Sequence, residues 1–336
     1  MLHFNFLKNL IKFKKIIFLI LALLLIYFIS WKIDFSKQNQ IWGVTFSQPY
    51  AESLGLNPKQ VYLSILNELN FKKIRLIAYW PKIQPEKDVF NFEDLDFQIN
   101  QAQKHNKEII LSIGYRVPRW PECHIPDWAK NLSEKDFEKY LFKYLTMLIE
   151  KYKNNPNIKI WQVENEYFLD LFGVCPPPNQ NLFKKELKLV KNIDPQRPIL
   201  ITDSGELSLW TKTAGQSEIF GTTLYRKVWN QYSGFFTHFF PPSFYTLKSW
   251  LVKKLTNTKE VIIIELQAEP WIPNNTYDIK KQKEIFNLND LKNNINFASK
   301  TGISEIYLWG AEWWYLLKIN DSPEYWEEIK NLTNRF

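Results

Sequence analysis

From residue 41 onward the chain alternates between two patterns. Short β-branched or apolar runs (Ile41–Phe46, Lys73–Ile77, Glu108–Gly114, Ile158–Val163, Pro198–Thr202, Ile219–Leu224, Val261–Glu265 and Glu305–Trp309) are each followed by a stretch with apolar residues at helical spacing. Asn57-Pro58 opens the first of these stretches, with Val61, Ile65 and Leu69 on one face. Ser133 opens another, with Phe137, Leu141, Tyr144 and Leu148 aligned. Asp290 is placed to cap the seventh, and Ser322-Pro323-Glu324 begins the last. Strands that alternate with helices pair in parallel, and eight such units predict an α/β fold, the (β/α)8 TIM barrel. An open doubly wound sheet is the structural alternative, but it rarely has eight evenly spaced units. No Pro/Gly/Ser linker divides residues 41–336, so they are expected to form one domain.

The N-terminus follows a different pattern. Ile16–Ser30 is an uninterrupted apolar run, preceded by Lys8, Lys12, Lys14 and Lys15 and followed by Trp31-Lys32. A cleaved signal peptide is the rival reading, but no small-residue cleavage site follows. The expectation is a transmembrane anchor over residues 16–31, with a basic cytoplasmic segment 1–15, a polar spacer 32–40 and the barrel domain outside the cell. This division also explains the net charge of +8. Removing the five lysines of residues 1–32 from the 43 basic residues leaves 38 against 35 acidic ones, a balance of +3. The basicity is topological and does not point to nucleic acid.

Barrel active sites sit at the C-terminal ends of the strands, so polar residues just past a strand are the candidates. The fourth run ends in Glu164-Asn165-Glu166. Regular alternation would put Gln162, Glu164 and Glu166 on one side and Trp161, Val163 and Asn165 on the other. The seventh run ends in Glu265 after Val261-Ile262-Ile263-Ile264, a fully apolar strand in which a carboxylate is costly unless it has partners or faces a polar mouth. Glu269 has moved into the loop and is the weaker choice. Strands four and seven stand opposite each other in an eight-stranded barrel, so Glu166 and Glu265 can face across the mouth. Two carboxylates facing across a cleft rich in aromatics suit cleavage of a glycosidic bond.

Asn165-Glu166 closing strand four and Glu265 closing strand seven resemble the signature of the clan A glycoside hydrolases, the retaining (β/α)8 enzymes that include cellulase-like family five, the β-galactosidases and the xylosidases. Further matches are Trp80-Pro81, Gln84-Pro85, Phe90-Asn91-Phe92, Gly114-Tyr115 and Pro118-Arg119-Trp120. The resemblance covers residues 41–336. It implies Glu166 as general acid and then base, Glu265 as nucleophile, and Arg75 and Tyr225 as its neighbours. It further implies Asn165 on the sugar 2-hydroxyl and Trp309 under the sugar, with Trp80 and Tyr115 also lining the substrate site. Tyr115 stands where many members have histidine, and Thr223-Leu224-Tyr225 departs from a frequent His-x-Tyr. The implied partner is an oligo- or polysaccharide bound by a monomer, with neither cofactor nor metal. A non-catalytic carbohydrate-binding or scaffold protein on the same barrel is the competing class. A metal-dependent hydrolase would need His or Asp clusters at the strand ends, which the sequence lacks.

Cys123 and Cys175 fall in the neighbouring loops after strands three and four, where a disulfide is geometrically reasonable outside the cell; two free buried thiols are the alternative. The stretch Gly234–Tyr245 after strand six is unusually aromatic and reads as a buried loop anchor, a cleft wall or a surface that touches the bilayer.

Overall fold

The computed structural model describes residues 2–272 and 278–335. Among the described residues there are ten strands: β1 (Ile41–Thr45), β2 (Lys73–Ile77), β3 (Glu108–Ile113), β4 (Ile158–Val163), β5 (Ile199–Asp203), β6 (Ile219–Leu224), β7 (Lys227–Asn230), β8 (Gly234–Thr237), β9 (Glu260–Gln267) and β10 (Glu305–Trp309). Eight of them close a parallel barrel in the order β1-β10-β9-β6-β5-β4-β3-β2, as the alternating pattern predicts. The seventh barrel strand runs two residues past its expected end. The hairpin β7-β8, in the loop after β6, was not anticipated.

Inside the barrel, Ile110, Ile160, Leu200, Ile219, Ile262, Ile264 and Tyr307 pack together. The layers fit because large side chains meet small ones: a Cβ on Gly43 would lie 2.5 Å from the Tyr307 ring, and one on Gly221 would lie 3.0 Å from Ile264. At the base of the barrel Lys73 Nζ meets Glu305 Oε2 at 2.7 Å.

The outer helices start where their caps direct. Asn57 Oδ1 accepts from Gln60 N, and Ser133 Oγ accepts from Asp136 N. The seventh-unit cap is a correction. Asn287, not Asp290, is the N-cap of Leu288–Lys300, and Asp290, at the third helical position, accepts a hydrogen bond from Asn287 N. Glu324–Thr333 starts after Pro323 without a side-chain cap.

The apolar run belongs to a longer helix, Leu2–Ser30, so the basic segment expected as 1–15 continues the same helix. Its Phe13–Ser30 part is long and apolar enough to cross a membrane by length and composition. The expected spacer is laid against the barrel: Trp31 packs edge-on to Phe297, and Phe35 N donates to Lys300 O at 3.2 Å.

Candidate active site

Arg75, fully buried on β2, organises the floor of the mouth. Its Nε donates to Gln162 Oε1 at 2.7 Å, its Nη1 to Glu265 Oε1 at 2.7 Å and its Nη2 to Asn165 Oδ1 at 2.8 Å. A guanidinium offers a rigid fan of donors, so one side chain can fix acceptors from three directions.

Glu265 points inward because β9 is irregular. Its register slips against both neighbours: Ile263 pairs with Thr222 but Glu265 with Thr223, and Ile263 pairs with Ile306 but Leu266 with Leu308. The bulge inserts one residue, so Ile264 and Glu265 both serve the interior. Tyr225, the residue after β6, donates its hydroxyl to the second oxygen, Glu265 Oε2, at 3.1 Å.

β4 stops at Val163, and the expected alternation stops with it. Glu164 and Glu166 adopt positive φ of 59° and 43°. This turn lets Gln162 and Asn165 share the Arg75 side, which regular alternation forbids. Asn165 Oδ1 accepts from Arg75, from Gln162 Nε2 at 3.2 Å and from Thr202 Oγ1 at 3.1 Å. Three donors on one oxygen settle the amide orientation and leave Nδ2 to face Glu122 Oε2 at 3.4 Å.

Glu166 is buried, with its amide bound to Thr202 Oγ1 at 2.8 Å and its Oε1 accepting from Thr223 Oγ1 at 3.2 Å. Burial pushes its carboxyl well above the ordinary range, and the charges of Glu265, Glu122 and Asp203 push the same way. Glu265, by contrast, is ion-paired to Arg75. The two carboxyls, at the ends of β4 and β9, therefore sit in unlike surroundings, one buried among like charges and one held by a cation.

Glu164 does other work. Its oxygens accept from Tyr115 N at 3.1 Å and Arg116 N at 2.6 Å, tying the loop after β3 to β4. The Glu164 carboxylate lies where a Cβ on Gly114 would stand, and Gly114 has φ of 122°, so only glycine fits there. Burial raises Glu164 to about 7, and burial with the Glu164 charge raises the neighbouring Glu186 of helix Gln180–Ile193 well above the ordinary range.

Two of the expected substrate residues are placed elsewhere. Trp80 is fully buried, stacked on Tyr144 (5.5 Å between centroids), edge-on to Trp128 and Phe137, with its Nε1 on Gln84 Oε1. Tyr115 is buried against Phe137 and Tyr167. Both pack between the barrel and its outer helices, because the loops that carry them turn back over the helix Glu134–Tyr152. Trp309 is at the mouth, but its ring is covered. The Arg119 guanidinium lies 3.9 Å from its centroid and 3.7 Å from that of Tyr50. Arg119 also pairs with Glu269 and, at 3.0 Å, with Glu312.

Glu122 and Glu312 are thus residues near the mouth that strand-end reasoning missed, while Glu269 was passed over as the weaker choice and Arg119 entered only within a matched motif. Glu122 sits between Pro121 and Cys123, and the Cys123–Cys175 disulfide (Cα–Cα 5.2 Å) fixes its loop to the one after β4. Burial, with the nearby Glu265 charge, raises Glu122 to about 7. The one signal that could have found it was its position beside a cysteine expected to bridge these loops.

A closed parallel barrel with glutamates at the mouth ends of β4 and β9 is similar in architecture to the clan A glycoside hydrolases. The chain also has likenesses among known proteins. A family model described as "Beta-galactosidase" (glycoside hydrolase 42) matches residues 59–192. Beta-galactosidase LacZ of Lactobacillus acidophilus is 25% identical over 148 residues, 39% of this chain and 21% of that protein. Beta-galactosidase BgaA of Clostridium cellulovorans is 26% identical over 170 residues, 44% of this chain and 25% of that protein. The chain thus spans about a fifth to a quarter of the length of these curated relatives. Among solved structures, a family 10 endo-beta-1,4-xylanase from Gloeophyllum trabeum superposes with a TM-score of 0.52 at 14% identity, covering 82% of this chain and 84% of that one. A family 5 glycoside hydrolase from Streptomyces cattleya gives 0.52 at 12% identity, covering 82% and 71%. These two likenesses concern the fold.

Proposed function

We propose that the chain is a membrane-anchored, extracytoplasmic retaining glycosidase. Glu166 protonates the departing oxygen and then deprotonates water, while Glu265 attacks the anomeric carbon and is later released. The observation that carries this reading is the contrast between Glu166, buried among like charges, and Glu265, held by Arg75 and Tyr225. Asn165, its oxygen saturated by three donors, presents only its Nδ2 to a sugar hydroxyl. The helix over residues 16–30 is the anchor, residues 41–336 form the enzymatic domain, and the substrate is a saccharide. The matched relatives make β-galactosides the first sugars to try.

The test is a panel of aryl β-glycosides with the products followed by NMR. Retained anomeric configuration is expected, with turnover lost in Glu265→Gln and in Glu166→Ala. Azide should restore Glu166→Ala as a β-glycosyl azide, because an anion then replaces water and needs no base. Inverted product, or full activity in both variants, rejects the assignment. Binding of sugars without turnover would favour a carbohydrate-binding protein.

A further inference from the structure

The chain between the apolar helix and the barrel climbs one side of the domain. Phe35 meets Lys300 at the base, just before β10 begins. Trp31 packs on Phe297 further up, with the Arg226 guanidinium 5.5 Å over its ring. Ser30 O then accepts from Ser243 Oγ at 3.2 Å, and Tyr27 Oη donates to Phe239 O at 2.8 Å. Ser243 lies in the first turn of the helix Pro242–Leu255, and Phe239 lies in the loop after β8. Both stand at the C-terminal end of the barrel strands, the end that carries Tyr225, Glu166 and Glu265. The apolar helix therefore leaves the domain at the level of the mouth. None of Phe13–Ser30 is buried against the barrel.

The same end of the barrel is apolar. Outside residues 1–40, nine of the fourteen large apolar residues that stand exposed among the described residues lie in strand-to-helix loops on that face. They include Trp120 after β3, Leu171 after β4, Leu209 after β5, Tyr232 between β7 and β8, Phe239 after β8 and Trp271 after β9. Single exposed apolar side chains are ordinary on a soluble surface. What is not ordinary is their gathering on six successive loop groups beside the exit of an apolar helix, with Trp and Tyr, the residues that favour a membrane interface. Leu209 is 87% exposed and Tyr232 89%.

We propose that the mouth of the barrel is held against the bilayer that the helix enters, and that its substrate is the saccharide headgroup of a lipid in that membrane. The inference rests on the glycosidase reading and on a helix retained in the membrane, and it deepens both. Tyr27 and Ser30 clamp the helix end to the mouth. That clamp leaves little clearance for a bulky soluble polymer but presents a lipid-borne sugar at short range.

The test uses the full chain in phosphatidylcholine–phosphatidylglycerol vesicles. A single fluorescent label (NBD) is placed through Leu209→Cys on the mouth face or Asn154→Cys at the opposite end; the native cysteines are bonded to each other. A blue-shifted label at 209 that shallow nitroxide lipids quench, against an unshifted, unquenched one at 154, is expected. Equal behaviour at the two positions overturns the orientation. Turnover is then read with the best aryl glycoside of the panel and with a lipid bearing the same sugar, placed either in the enzyme's own vesicles or in separate ones. Lipid in the enzyme's vesicles should be cleaved roughly tenfold faster or more, through its high local concentration. Cleavage of the aryl glycoside with no such preference overturns this inference but leaves the glycosidase reading standing. Cleavage of neither overturns the glycosidase reading and the substrate half of this inference, while the label still decides the orientation.

Discussion

Arg75 meets Glu265 at 2.7 Å while its other nitrogens hold Gln162 and Asn165, so a single cation from β2 sets side chains on β4 and β9 in mutual register. Because Arg75 is fully buried, the arrangement cannot be replaced by water. Removing Arg75 would leave the Glu265 charge buried without its cation and Gln162 Oε1 without its donor.

Arg75→Lys keeps the charge but not the three-way fan. It is expected to lower stability by about 3 kcal/mol, the scale of a broken buried pair, and to lower kcat strongly even in the folded fraction. Denaturant unfolding and steady-state kinetics check this; a variant as stable and as active as the parent would refute the organising role.

The alkaline limb of activity should report Glu166, which must carry its proton to act as acid. Glu122 raises Glu166 through its negative charge, so Glu122→Gln removes repulsion and lets Glu166 ionise at lower pH. The alkaline limb of kcat/KM is expected to move acidward by roughly 0.5–1 unit. A limb that stays put, or moves the other way, would show that Glu122 does not act on Glu166.

Glu164 and Glu186 are both raised by burial, Glu164 to about 7, so from about 4.5 up to these raised folded values the folded state binds more protons than the unfolded one. Stability from this pair is complete below that window and declines as pH rises through it. Glu186→Gln should therefore match the parent in thermal unfolding at pH 4, below the window, and exceed it at pH 8. Parallel melting curves across pH would remove the pair from the account.

Trp80→Ala separates a core residue from a sugar platform. Loss of the stack on Tyr144 and of the contacts with Trp128 and Phe137 should cost about 3–5 kcal/mol. KM of the folded fraction should remain unchanged. A raised KM at unaltered stability would return Trp80 to the substrate site.

Much of the site was legible because barrel topology converts order along the chain into position. Glu166 and Glu265 were candidates from their strand ends, Arg75, Asn165 and Tyr225 came from the resemblance, and the structure gathers the five at one mouth. Trp80 and Tyr115 also follow strands, yet their loops fold back over an outer helix; a strand-end position specifies a height in the barrel, not the direction of the side chain. Asp290 was misread as a cap because it follows Asn287 by three residues, where either residue can start a helix.

The alternating periods along residues 41–336 determined the eight-stranded parallel barrel, since each run can bury its apolar face only one way. They also determined which strands carry the two glutamates. Only the tertiary structure decided that β9 bulges to turn Glu265 inward, and that positive φ at Glu164 and Glu166 frees Asn165 to join Arg75. It alone put Arg119 over Trp309, brought Glu122 to Asn165, and set the apolar helix beside the mouth. These features arise from contacts between residues far apart in the chain, whose energies depend on shape and burial that no local pattern encodes.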